Sequence, residues 1–67
     1  MKGFIEVIST GGKTCLVNVA HIEYVAKFEA GHAAICFRDP EPAIECQESY
    51  EVVKELIAQA QQSSSLV

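Results

Sequence analysis

The sequence predicts an α+β fold that is mostly β, an antiparallel meander of about five strands curled towards a partial small barrel, with one C-terminal helix. Three observations carry this. Short runs rich in β-branched and aromatic residues fill positions 4–47, separated by glycine, proline and asparagine. After Ser49 the apolar spacing changes from every second residue to the 3.6-residue period of a helix. A chain of 67 residues with 49% hydrophobic content has room for one core only.

The first strand is the run Phe4-Ile5-Glu6-Val7-Ile8-Ser9, ended by Thr10-Gly11-Gly12-Lys13. Two adjacent glycines supply the positive φ angles of a tight hairpin, so strands one and two pair antiparallel. The second strand, Thr14 to Val19, is apolar on both faces, with Cys15, Val17 and Val19 on one and Leu16 on the other. That pattern predicts a central strand covered on both sides. The link Asn18 to His21 redirects the chain, since an asparagine side chain can bond backbone two residues ahead. In the third strand, Ile22 to Phe28, the positions Ile22, Tyr24, Ala26 and Phe28 alternate against Glu23, Val25 and Lys27. Gly31 is the positive-φ residue of the next turn, and strand four runs from Ala33 to Arg38 with Ile35 and Phe37 inward. Asp39-Pro40-Glu41-Pro42 breaks the sheet, because proline cannot donate to a ladder. Strand five, Ala43 to Gln47, points Ile44 and Cys46 one way and Glu45 the other.

The helix is predicted from Tyr50 to Gln61 or Gln62, packed on the sheet through Val53, Leu56, Ile57 and Ala60. Ser49 is its N-cap, and Glu51 lies in the first turn, where the helix dipole favours a negative charge. Residues 1–62 thus form a single domain, and Ser63 to Val67 read as a flexible tail.

Composition narrows the function. The net charge is −4, and Lys2, Lys13, Lys27, Arg38 and Lys54 stand singly, whereas a groove for phosphates needs clustered cations. Nucleic acid is therefore not an expected partner. No apolar run approaches the roughly 20 residues of a membrane span, and Glu6 interrupts the only apolar stretch near the start, so no membrane segment or signal peptide is expected and the expected compartment is the cytoplasm. Cys15, Cys36 and Cys46 lie 21 and 10 residues apart, an odd set that fits neither a disulfide framework nor a paired metal knuckle. They read as reduced, buried thiols, and His21 and His32 as solvated turn residues. No metal or cofactor is expected. Nucleophilic catalysis needs a thiol or hydroxyl beside an oriented base, and no nucleophile elbow, phosphate loop or HExxH helix is present, so the chain reads as a non-enzyme. Glu41, Glu45, Glu48, Glu51 and Glu55 form an acidic band that reads as a solvated face, the sharper alternative being a surface for a basic partner.

Several motifs also carry a resemblance. The opening strand, the Gly12-Lys13 hairpin, the run Leu16-Val17-Asn18-Val19, Ile22 after the link, and the Glu48-Ser49-Tyr50-Glu51-Val52-Val53 step into the helix resemble the FlbD-like family of small bacterial proteins associated with flagella and swarming motility. The order of elements agrees over nearly all of residues 4–60. The proline-rich segment 39–42 departs from the simple Asn-Gly or Asp-Gly hairpin usual there. The resemblance implies the same fold and a motility-associated, non-enzymatic role; it supplies no catalytic residues.

The residues best suited to binding are Phe4, Glu6 and Ile8 on the first strand, with Tyr24 and Phe28 on the third. Phe4 and Ile8 lie on the face opposite Ile5 and Val7, so both faces of that strand call for cover, and one helix can cover only one. The chain is expected to be an interaction or assembly module that self-associates as a dimer or larger homo-oligomer, or meets a protein partner. Two alternatives stand beside this. One is a small barrel binding single-stranded nucleic acid, with Tyr24 and Phe28 as stacking surfaces. The other is a small-molecule or metal binder using the Cys and His side chains.

Overall fold

The computed structural model describes residues 3–62; the expected tail, 63–67, lies outside the described residues. The order of elements is β1 (Phe4–Ile8), β2 (Thr14–Asn18), a 3-10 turn (Val19–His21), β3 (Ile22–Lys27), β4 (His32–Phe37), β5 (Ile44–Ser49) and α1 (Tyr50–Gln62). All strand pairings are antiparallel, in a two-stranded sheet β1-β2 and a three-stranded sheet β3-β4-β5. This is the predicted mostly β fold with a C-terminal helix. The barrel stays open, since β2 and β3, consecutive in the chain, do not pair.

Two hairpins share one turn. Ser9 N–H bonds Lys13 C=O and Gly12 N–H bonds Ser9 C=O; likewise Phe28 N–H bonds His32 C=O and Gly31 N–H bonds Phe28 C=O. Each is a three-residue loop closed by a glycine at positive φ, +90° at Gly12 and +100° at Gly31. Gly11 was expected to share that role, but its φ is not positive. One glycine is enough, because a three-residue loop needs a single left-handed residue at its end.

The link after β2 has a local cause. Asn18 Oδ1 accepts from Ala20 N–H at 3.0 Å and caps the 3-10 turn, which carries the chain out of the first sheet before β3 begins. β2 is consequently paired on one side only, and Leu16 is 56% exposed. The expectation of a central, doubly covered strand is therefore wrong. Val17 is buried, but among the described residues no layer covers the opposite face, where Leu16 lies.

In β3 the simple alternation also fails. A bulge between Ile22 and Tyr24 shifts the register, so that Ile22 pairs Phe37 while Val25 pairs Ile35. Ile22 and Val25 both pack against the core, and Tyr24 is turned out at 58% exposure. The fourth strand begins one residue earlier than expected, at His32, and the fifth extends to Ser49.

β5 joins the two sheets. Its pairing with β4 shifts between the His32 and Ala34 positions, and on its other side Cys46 bridges Ser9 while Thr10 N–H bonds Glu45 C=O at 2.9 Å. A strand that changes partner at an irregularity is how a sheet turns a corner. The core lies between the sheets and the helix: Ile5, Val7, Val17, Ala33, Ile35 and Cys46 meet Val53 and Ala60 of α1. Leu56 and Ile57 pack at its margin, as the helical spacing predicts. Ser49 Oγ accepts from Val52 N–H at 3.2 Å, which makes it the N-cap. Tyr50 N–H bonds Gly31 C=O, and Lys27 reaches Glu51 at 3.5 Å, so the start of the helix is tied to the β3-β4 turn.

Candidate interaction surface

β1 alternates as a strand with one face in the core. Ile5 and Val7 are buried, Glu6 is exposed, Ile8 is 39% exposed and Phe4 is half-buried. In the register with β2, Phe4 opposes Asn18, Glu6 opposes Leu16 and Ile8 opposes Thr14. The outer face of this sheet thus gathers Phe4, Ile8 and Leu16 around one carboxylate, Glu6. The sequence singled out the first strand's share of this face; Leu16 was missed because its strand was expected to be covered.

Backbone direction follows from two bonds. Val19 N–H reaches Gly3 C=O, and Ser9 N–H reaches Lys13 C=O, so odd-numbered β2 residues bond to β1. Thr14 and Leu16, the even positions, turn their N–H and C=O groups outward. On β1 the even positions turn towards β5. There the Ile8 N–H is met by the Glu48 carboxylate, at 3.0 and 3.1 Å to its two oxygens, and Gln47 Nε2 donates to Ser9 C=O at 3.0 Å. Glu48, expected in a solvated acidic band, is instead half-buried and seals the β1 edge. The other four carboxylates of that band, Glu41, Glu45, Glu51 and Glu55, are exposed.

Beside β2 opens a groove of about 390 Å³, in which Phe4, Leu16 and Asn18 meet Phe37, Pro42 and Ile44, with His21 and Glu41 as its ionisable members. Pro42 belongs to the segment that departs from the usual hairpin, and its Asp39-Pro40 bond is cis.

Tyr24 and Phe28 do not join this face. They belong to the β3-β4 hairpin of the other sheet, where Tyr24 pairs Cys36 and Phe28, 37% exposed, stacks on His32 with ring centroids 4.5 Å apart. The Cys36 thiol across the strand pair raises the Tyr24 phenol above its usual range. His32 is half-buried against Phe28, with Glu45 4.0 Å from Nε2, so it is not the solvated turn residue expected; His21 is exposed in the 3-10 turn. A histidine that opens a strand directly after a glycine turn faces back across the hairpin, which a lone turn position does not reveal.

The thiols sit on three strands. Cys46 is buried, while Cys15 and Cys36 are half-buried, and all are free. Burial pushes the Cys46 thiol up to about 11, with Glu48 and Cys15 adding to the shift. Cys15 opposes Val7 on one side of β1 and Cys46 opposes Ser9 on the other. Two strand spacings, about 9–10 Å, therefore separate them, beyond the reach of a disulfide, about 7 Å between Cα atoms. Among the described residues, no group of three or more His, Cys, Asp or Glu side chains is placed to hold a metal ion. No helix among them is long and apolar enough to cross a membrane.

The site is thus an apolar sheet face with an adjoining groove and a strand edge that is unpaired among the described residues. Comparisons with family models, with curated proteins and with solved structures give no match to this chain.

Proposed function

We propose that this chain is a cytoplasmic, non-enzymatic interaction or assembly module, one that self-associates and presents its β1-β2 sheet to another chain, with a regulatory role of the motility-associated kind the FlbD-like resemblance implies. The observation that supports it is the outer face of β1-β2. Leu16 and Ile8 are exposed beside Phe4 on a sheet whose other face is already packed by the core and α1. Among the described residues, Glu6 is the one charge on that face, which leaves it self-compatible rather than suited to a polyanion.

The experiment is the solution mass by light scattering across a concentration series, for the reduced protein and for Leu16→Glu. The expected result is a mass that rises with concentration, with Leu16→Glu shifted towards monomer at unchanged helix and sheet content. A monomer at every concentration sinks the self-association reading. Nucleic acid binding by Tyr24 would instead give a strongly salt-dependent complex with single-stranded oligonucleotides, which this reading does not expect.

A further inference from the structure

We infer that two copies of this chain join edge to edge through β2, antiparallel about Leu16, into a sheet that runs β1, β2, β2, β1 across the pair. The inference rests on the self-association proposed above and places the contact at the β2 edge of that sheet, where the outer face of Phe4, Ile8 and Leu16 is continued across the pair and the two Leu16 side chains stand side by side.

Among the described residues, β2 is the outer sheet edge left unprotected. The β5 edge is taken by the Ser9-Cys46 bridge and by the side chains of Gln47 and Glu48. The β3 edge is broken by the bulge at Ile22-Tyr24 and carries Glu23 and Lys27, two of the devices by which soluble proteins blunt an edge. β2 has neither. Thr14-Cys15-Leu16-Val17-Asn18 holds no charge and no proline, and its ladder to β1 runs without a register shift. Thr14 and Leu16 turn N–H and C=O outward.

The occupant that fits is a second copy. Each chain carries a net charge of −4, so two copies meet best along a stretch with no charge. The edge is self-complementary under a two-fold axis: Leu16 exchanges both main-chain bonds with Leu16 of the second copy, and Thr14 lies against its Asn18. The two Glu6 carboxylates then stand three strand spacings apart, about 14 Å, beyond the roughly 8 Å screening length at physiological salt. The groove of about 390 Å³ beside Leu16 gives the added strand an apolar wall.

Leu16→Pro is the sharp variant. The Leu16 N–H points away from β1, so proline removes no bond within one chain but blocks the added strand. Leu16→Thr removes the apolar side chain and keeps the N–H. Strand addition predicts that Leu16→Pro raises the dissociation constant about tenfold or more, and that Leu16→Thr raises it far less. Equal effects, or no effect of proline, overturn the strand geometry while leaving self-association standing. A wild-type chain that stays monomeric overturns both. Hydrogen exchange on the unmodified chain reads the same point without a variant: the Leu16 and Thr14 amides become protected as concentration rises. Free exchange of Leu16 in the associated form overturns the inference.

Discussion

Cys46 shows how much a single buried group contributes to the chemistry of this small core. Its thiol is driven up from about 9 to about 11, chiefly by burial. The neutral form is favoured in the folded state, so the associated stability is complete below the unfolded thiol's pKa and is lost as pH rises towards 11. The expected outcome is an alkaline loss on the order of 2–3 kcal/mol across that window, read from urea midpoints at several pH values and missing in Cys46→Ala. Thiol labelling of the native protein should reach Cys15 and Cys36 first and Cys46 only as the fold opens. Glu48 works in the other direction, as a charge kept because it has a donor. Removing it in Glu48→Ala leaves the Ile8 N–H without its acceptor at the β1-β5 corner, and a cost of about 1–2 kcal/mol in a denaturant titration is expected. Two glycines differ for a local reason. Gly12 stands at φ +90° with open space around it, so Gly12→Ala costs about 1 kcal/mol through backbone strain alone, whereas Gly11→Ala meets only Ser9 Oγ at 3.8 Å and is expected to be near neutral.

At the scale of elements, α1 is held by its cap and its apolar stripe. Val53 is fully buried, and Val53→Ala is expected to cost about 2 kcal/mol or more, against about 1 kcal/mol for Ser49→Ala, which strips the cap from the Val52 N–H. The Lys27-Glu51 pair adds little, since both side chains are exposed. The Glu51 carboxyl is nevertheless held below its usual range, first by a backbone N–H in the opening turn and then by Lys27. Its small contribution is therefore present at neutral pH and is lost as pH falls through the lowered value. These features of the helix were legible in the sequence because each depends on residues close together in the chain: Ser49 before Val52, and Val53, Leu56, Ile57 and Ala60 at helical spacing. The two hairpins were legible for the same reason. What could not be read was set by pairing across the fold. Nothing local to Leu16 says that its strand has a single neighbour, because that follows from where the 3-10 turn sends the chain. The bulge that turns Tyr24 out and Val25 in depends on fitting β3 to Phe37 and Ile35, residues found only after the turn at Gly31. Of the candidate site, Phe4, Glu6 and Ile8 were legible because alternation alone puts them opposite Ile5 and Val7; Tyr24 and Phe28 fall in the other sheet.

For the whole molecule, the question is what a chain of 67 residues does with a sheet face and an edge that its one helix does not cover. A domain this size has a stability of roughly 3–10 kcal/mol, so any contact made only by the folded state shows in its melting. If copies pair through β2, folding is linked to association, and the melting temperature must rise with protein concentration by mass action. Pairing along one short strand buries less than the 1,200 Å² or so typical of stable interfaces, so the rise is expected to be gradual and to continue into high micromolar concentrations. Leu16→Pro should flatten that dependence, and at low concentration, where the wild-type chain is also monomeric, it should differ from wild type only by the loss of an exposed side chain. A calorimetric series on both proteins from about 10 to about 500 µM separates the cases, since an intrinsic loss of stability lowers the proline curve equally at every concentration, while a lost interface makes the two curves diverge only as concentration rises.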